Sequence, residues 1–350
     1  MQMSLIRKFG RMAALVTLVA SLVSVSSAPA NAVVAPRDGY GFANGAAWVT
    51  NSFADTNREL DAVAKTGASW IRLPIDRSAV EKSKGQYDWG YVDNLVNGAS
   101  SRGLRILGLI GYTPLWERPE GPPMIFPFAP PREMDGWKRF VTAAAQRYAG
   151  KINSWEIWNE PNLLLFMGFI PDRVHRYIDI LKTAYPAIKS VSPGATVIAA
   201  GLSPQDGPDS PPGFLQQMYD AGAGGFFDAA AAHPYVFPGG LAADSNNGWS
   251  DVVKMHDVMA AHGDGGKKIW LTELGAATSV GDGQGVSQQE QAKEIVDVLG
   301  AAAATPYIGP SFIYSVRDTN SANTGDREST FGALLTTDWT PKYTASVLAR

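Results

Sequence analysis

The sequence predicts an α/β fold, a single-domain (β/α)8 TIM barrel, on three observations. Short β-rich runs alternate with segments of helical period eight times over; the alternation runs from about residue 39 to the C-terminus; and no linker or internal repeat divides it. Alternation by itself also fits a doubly wound open sheet, so closure is an expectation to be tested.

Strands are expected near 39–44, 69–75, 104–110, 153–159, 195–201, 226–233, 267–273 and 308–315. Between them Leu60/Val63/Ala64, Tyr91/Val92/Leu95/Val96, Trp137/Phe140/Val141/Ala144/Tyr148 and Val174/Tyr177/Ile178/Leu181/Ile188 recur every three to four residues, the spacing of one helix face. Thr56-x-x-Glu59 and Ser287-x-x-Glu290 have the form of capping boxes, and Gly67, Gly103 and Gly150 stand where helices stop. Stretches rich in Gly, Ser, Asn and Asp at 239–250, 262–266, 278–287 and 318–330 read as loops.

The first residues are set apart from the fold. Arg7, Lys8 and Arg11 precede an apolar run from Met12 to Val25 and then Ala28-Pro-Ala-Asn-Ala32, the order of a secretory signal peptide. Cleavage is expected after Ala32, with Ala30 as the other candidate, leaving residues 33–350 as the barrel domain. The run is shorter than the ~20 residues that span a bilayer. A secreted protein, extracellular or in the cell envelope, with no integral membrane segment after cleavage, is therefore expected. Loss of three basic residues takes the formal charge from −3 to −6, which argues against a nucleic-acid partner. There are no cysteines, so neither disulfides nor thiol catalysis enter.

Two strand ends carry carboxylates. Ser154-Trp-Glu-Ile-Trp-Asn-Glu-Pro-Asn162 is an aromatic strand broken at Asn159, Glu160 and Pro161; the proline disfavours a helical Glu160 and predicts an extended residue at the strand's carboxyl end. Lys268-Ile-Trp-Leu-Thr-Glu-Leu-Gly275 delivers Glu273 in the same way. In a barrel these ends form the catalytic face. A pair of carboxyls about 5–5.5 Å apart, one protonated and one ionised, is what cleavage of a glycosidic bond with retention requires. A lone strand-end glutamate is more commonly a rim ion pair; two on such strands point to chemistry.

In these motifs the chain resembles glycoside hydrolase clan A, the retaining barrel glycosidases, and within it the cellulase-like family 5 and the xylosidase-like family 39. Trp158-Asn-Glu-Pro161 is similar to the clan's strand-four motif and Trp270-Leu-Thr-Glu-Leu-Gly275 to its strand-seven motif. Gly85-Gln-Tyr-Asp-Trp89, Gly111-Tyr-Thr-Pro-Leu-Trp116, His233-Pro-Tyr235 and Phe331-Gly-Ala-Leu-Leu with Thr340-Pro-Lys342 fall where such proteins have similar segments. The resemblance implies Glu160 as acid/base, Glu273 as nucleophile, Asn159 as the residue hydrogen-bonded to the sugar 2-hydroxyl, Arg72 beside the nucleophile, and His233 and Tyr235 as the strand-six pair whose tyrosine donates to it. Trp155 and Trp158 are expected to lower the polarity around Glu160. Strict alternation would put Asn159 and Glu160 on opposite faces, so these roles require a bulge or strong twist. Trp116 and Tyr314 are candidate sugar platforms, although buried core is the ordinary fate of a strand-end aromatic. Many clan members carry tryptophan at the position of Tyr314.

Other chemistries find little support. There is no Gly-x-Ser-x-Gly, and His175, His233, His256 and His262 lie in separate segments without zinc-ligand spacing, so neither a metal nor a cofactor is expected. Gly281-Asp-Gly-Gln-Gly285 lacks a phosphate-loop lysine and reads as a rim loop. The run Asp318–Asp326 lacks calcium-loop spacing and reads as a solvated turn. The expected function is a secreted retaining hydrolase of O-glycosidic bonds in an oligosaccharide, polysaccharide or glycoconjugate. A catalytically silent carbohydrate-binding barrel and a transglycosylase are the alternatives. Two apolar loops, Pro122–Pro131 and Leu163–Pro171, admit two readings: a satellite core, or a wall for a hydrophobic aglycone built on Phe126, Phe128 and Phe166.

Overall fold

A computed structural model describes residues 33–44, 51–118, 128–279, 283 and 285–350. The expected signal peptide, residues 122–127 of the first apolar loop with Phe126, and most of the Gly281–Gly285 loop lie outside the described residues.

Eight parallel strands close on themselves: β1 (Tyr40–Ala43), β2 (Trp70–Asp76), β3 (Arg105–Gly111), β4 (Ile152–Ile157), β5 (Thr196–Leu202), β6 (Ala229–Ala232), β7 (Lys268–Leu274) and β8 (Ile308–Tyr314). Pairing of β8 with β1 removes both sheet edges and with them the open-sheet alternative. The helices following each strand are α1 (Phe53–Ala64), α2 (Gly90–Ser101), α3 (Met134–Arg147), α4 (Arg173–Val191), α5 (Pro211–Asp220), α6 (Gly248–Ala261), α7 (Gln288–Ala304) and α8 (Tyr343–Leu348). None of the described helices is long and apolar enough to cross a membrane.

All eight expected strands form, and two differ in extent. β4 stops at Ile157, short of Asn159, and β6 begins only at Ala229, because Gly224–Phe226 is a 3-10 turn. The capping at α1 is also different. Ser52, not Thr56, is the N-cap, accepting from the Asp55 amide; Thr56 and Glu59 are buried within the helix, where Glu59 pairs with Arg317 at 2.7 Å. Ser287 caps α7 as expected, through the Glu290 amide. Gly103 and Gly150 follow α2 and α3 with φ of +72° and +79°, the left-handed conformation that glycine adopts without strain. Gly67 stands where a Cβ would come within 2.9 Å of the Tyr40 hydroxyl, so its role is close packing and not helix termination. The 239–250 loop contains a helical turn, Gly240–Ala243, and α6 begins inside it.

Inside the barrel Trp70, Leu107, Ile198, Ala229, Ala231, Trp270 and Phe312 fill the floor. Trp70 meets Trp270 edge-on at 5.3 Å, and the small alanines of β6 leave room for the indoles. One layer above this dry floor the inward residues become polar: Arg72 on β2, Glu156 on β4 and Thr272 on β7 are all buried. The change from apolar to polar along the axis places the site at the carboxyl ends of the strands.

The segment after β8 is anchored by a second buried ion pair. Asp318, expected in a solvated turn, is 2% exposed and receives Lys342 Nζ at 3.2 Å; the same ammonium donates to Thr278 Oγ1 at 3.0 Å. Burial pushes Lys342 down and Asp318 up from their ordinary values, while each charge favours the other. Lys342→Met leaves a buried carboxylate without its counter-charge and is expected to lower the unfolding free energy by about 3–5 kcal/mol. Adding Asp318→Asn should recover much of that loss in a denaturant titration; equal stability of the single and double variants contradicts the pairing.

Candidate active site

The two glutamates reach one pocket because both of their strands abandon regular alternation. On β4 the chain leaves the sheet at Trp158, with φ of +73°, and Glu160 follows with φ of +40°. Both are non-glycine residues in left-handed backbone, a conformation that costs free energy and persists where surrounding bonds enforce it. Those bonds are present: Trp158 N–H donates to Ile110 O and Glu160 N–H to Gly201 O. The expected extended conformation of Glu160 is thus corrected to a left-handed one. The required twist is supplied by these two residues, and Asn159 and Glu160 face the same side.

On β7 the register against β8 slips between Leu271 and Leu274, so three steps on β7 match two on β8. That bulge lets Thr272 and Glu273, adjacent in sequence, both face inward. One acceptor or donor atom from each of Glu160, His233 and Glu273 lies within 4.8 Å of the others.

Arg72 organises the floor of this pocket. Its guanidinium donates from Nε to Glu156 Oε2 at 2.6 Å, from Nη1 to Glu273 Oε1 at 2.6 Å and from Nη2 to Asn159 Oδ1 at 2.7 Å. A planar fork of donors suits three acceptors in different directions, which a lysine ammonium on a flexible stem does not. Burial opposes its charge, but Glu156 and Glu273 more than offset this and hold the guanidinium firmly protonated. At 3% exposed, Arg72 lies inside the barrel and not in an ion pair at its rim.

Glu273 is hydrogen-bonded through both oxygens, the second receiving the Tyr235 hydroxyl at 2.6 Å. Burial would raise its pKa; the positive His233 and Arg72 and these hydrogen bonds outweigh burial and lower it. Glu160 has a different environment, its Oε1 lying 2.8 Å from His233 Nδ1. His233 is fully buried; desolvation would depress its pKa, but Glu273 and Glu160 overcome that and raise it. The spacing of the three groups would suit a cation, yet His233 Nδ1 and both Glu273 oxygens are already engaged by protein partners. The arrangement is therefore one for proton and charge management. Asn159, having accepted from Arg72, has an amide NH2 with no acceptor among the described residues.

The expected aromatics are distributed otherwise. Trp155 turns outward, against Gly108, where a Cβ would meet its ring at 3.1 Å. Trp158 packs between Trp137 and Tyr112 and donates to Phe166 O, so neither tryptophan surrounds the Glu160 carboxyl. Trp116 is bonded to Glu81 O with Arg77 over its ring; no described contact joins it to the two glutamates. Tyr314 does belong to the site's wall, edge-on to Tyr235 at 6.5 Å, its hydroxyl pKa pushed up by burial and by Glu273. Phe128 and Phe166 stack at 5.0 Å and contact Tyr112; Phe166 is part of the main core and Phe128 packs against it, the core reading of that pair.

Three residues of the site were not anticipated: Glu156, Thr272 and Gly201. Gly201 N–H donates to Glu156 Oε1, and a Cβ there would fall 2.1 Å from His233 Nε2. A charge between the apolar Trp155 and Ile157, in a buried parallel strand, was the available signal for Glu156.

With this geometry established, comparison with solved structures is informative. A family 39 glycoside hydrolase from the gut symbiont Bacteroides cellulosilyticus superposes with a TM-score of 0.66 over 90% of this chain at 22% identity. A family 39 β-xylosidase from Caulobacter crescentus gives 0.66 over 91% at 19% identity, covering 72% of that chain. The chain shares its barrel fold with these glycoside hydrolases. A family 5 subfamily 18 protein from Streptomyces cattleya, solved with GlcNAc, gives 0.64 over 91% at 17% identity and 79% of its length. The chain spans 64% of the length of the Bacteroides protein. No family model and no curated protein sequence matches it.

Because its folded pKa is lowered, Glu273 contributes stability above its unfolded pKa that is lost as pH falls through the folded value. A carbon-13 titration should place its carboxyl below the ordinary glutamate value of about 4.3. Arg72→Lys, which keeps one charge but not three directed bonds, should move that midpoint upward. An unmoved midpoint contradicts the role given to the guanidinium.

Proposed function

We propose that the chain is a secreted glycoside hydrolase that cleaves O-glycosidic bonds of a glycan or glycoconjugate by double displacement with retention. The observation that carries this reading is the asymmetry of two neighbouring carboxyls: oxygens of Glu160 and Glu273 within 4.8 Å, one beside a histidine and the other held ionised by Arg72 and Tyr235. Inverting pairs stand about 6.5–9.5 Å apart to admit water between them; a closest approach of oxygens within 4.8 Å is in keeping with direct attack.

In the first step Glu273 attacks the anomeric carbon as the bond to the leaving oxygen breaks, and Glu160 gives that oxygen its proton. In the second, Glu160 takes a proton from water, which displaces Glu273 and restores both carboxyls. Arg72 and Tyr235 fix the attacking oxygens in place. The unengaged NH2 of Asn159, held by Arg72 through its carbonyl, is oriented to donate to a sugar hydroxyl beside the anomeric centre. The likeness in fold to clan A hydrolases supports the same assignment.

The test is a panel of activated aryl glycosides followed by proton NMR of the first-formed sugar, which should keep the substrate's anomeric configuration. Glu273→Ala should abolish turnover. Glu160→Ala should lose about 10²–10⁴-fold on poor leaving groups, the range of general acid–base catalysis, and be rescued by azide on good ones. An inverted product, or equal and unrescued loss in both folded variants, contradicts the assignment.

A further inference from the structure

A chain of hydrogen bonds leaves Glu160 and returns to Glu273 beneath the pocket. Glu160 Oε1 lies 2.8 Å from His233 Nδ1, and His233 Nε2 lies 3.1 Å from Thr272 Oγ1. The Thr272 hydroxyl donates to Glu156 Oε1 at 2.8 Å, and Glu156 Oε2 is paired with Arg72, which reaches Glu273. His233, Thr272 and Glu156 are completely buried, so water does not compete for these bonds.

The direction of each bond follows from the donors available. Glu156, paired with a guanidinium, offers only lone pairs, so the single Thr272 proton goes to it. Thr272 Oγ1 then faces His233 as an acceptor, and Nε2 must carry a hydrogen. A neutral imidazole has one N–H, which would leave a bare Nδ1 2.8 Å from Glu160 Oε1. Two lone pairs at that distance repel; a proton between them removes the repulsion.

Resting on the reading of Glu160 as acid/base, we propose that Thr272, oriented by Glu156, is a positioning residue that fixes the His233 proton on Nε2 and thereby keeps a further proton stored on the Glu160–His233 pair. The opposite tautomer would let Glu160 stand ionised against a neutral Nδ1–H, with no proton left to give. Fixing Nε2–H makes that state costly, and the acid/base stays loaded to higher pH. The charged groups facing His233 act in the same sense or are already neutralised: Glu160 from β4 and Glu273 from β7 favour a proton on the ring, while Arg72 from β2 opposes it and is bonded to Glu156 and Glu273.

Nitrogen-15 correlation spectra of the imidazoles test this without any substrate, since the chain has four histidines and His233→Asn identifies the resonance. In the wild type Nε2 should keep its proton throughout a pH titration while Nδ1 titrates; a bare Nε2 at high pH overturns the proposal even if no Thr272 variant folds. Thr272→Val should populate the Nδ1–H tautomer. It should also lower the basic limb of the kcat/KM profile by about one pH unit, the scale of one buried hydrogen bond. Aryl glycosides with poor leaving groups should lose more rate than dinitrophenyl glycosides, and Thr272→Ser should restore both readouts. A folded Thr272→Val with wild-type tautomer and pH limb overturns the proposal. A wild type that keeps Nε2–H but turns over no glycoside refutes the hydrolase reading and leaves the tautomer assignment standing.

Discussion

The guanidinium of Arg72 binds three acceptors on two other strands, and the geometry of the pocket depends on that one group. Glu156, Asn159 and Glu273 are contributed by β4, the turn after it and β7, so a shift of any of these strands breaks a charge-assisted bond in a buried place. Burying a cation and two carboxylates is costly unless their lone pairs and protons are satisfied. Here they are, by Gly201, Thr272 and Tyr235 as well as by one another. Below them the floor around Trp70 and Trp270 is apolar, a surrounding of low polarity that strengthens the interactions in the layer above.

Regular strands would not have brought these side chains together. A strict alternation sends Asn159 and Glu160 to opposite faces, and likewise Thr272 and Glu273. The left-handed residues Trp158 and Glu160 and the bulge on β7 each re-aim one side chain inward. Gly201, where β5 itself slips against β6, leaves the space that the His233 ring occupies and holds Glu156 and Glu160 through its backbone. Irregular backbone thus gathers at the carboxyl ends of β4, β5 and β7, as left-handed residues after β4 and register slips on β5 and β7.

The eight strands were legible because each is a short apolar run bounded by turn residues. Glu160, Glu273, Asn159, His233 and Tyr235 were legible because each stands in a motif at or just beyond a strand end, Arg72 because its segment resembles a clan motif although it lies early in β2, and the structure brings all six together. What sequence could not show was direction. Trp155 and Trp158 flank Glu160 along the chain, but on β4 the pleat sends Trp155 outward and the left-handed Trp158 follows it into the helical layer. Trp116 is drawn to the Arg77 and Glu81 cluster instead of the pocket. Thr56 matched a capping pattern that Ser52, one turn earlier, satisfies first. Thr272 gave no signal at all, since its meaning lies in Glu156, 116 residues away, and His233, 39 residues away.

Which carboxyl becomes bonded to the sugar decides the mechanism. Incubation with dinitrophenyl 2-deoxy-2-fluoro glycosides, which slow breakdown of a glycosyl-enzyme, followed by mass spectrometry of proteolytic peptides, locates that bond. The peptide containing Glu273 should gain the mass of one fluorosugar, and Glu273→Gln should abolish the gain. Labelling of the peptide containing Glu160 would contradict the account.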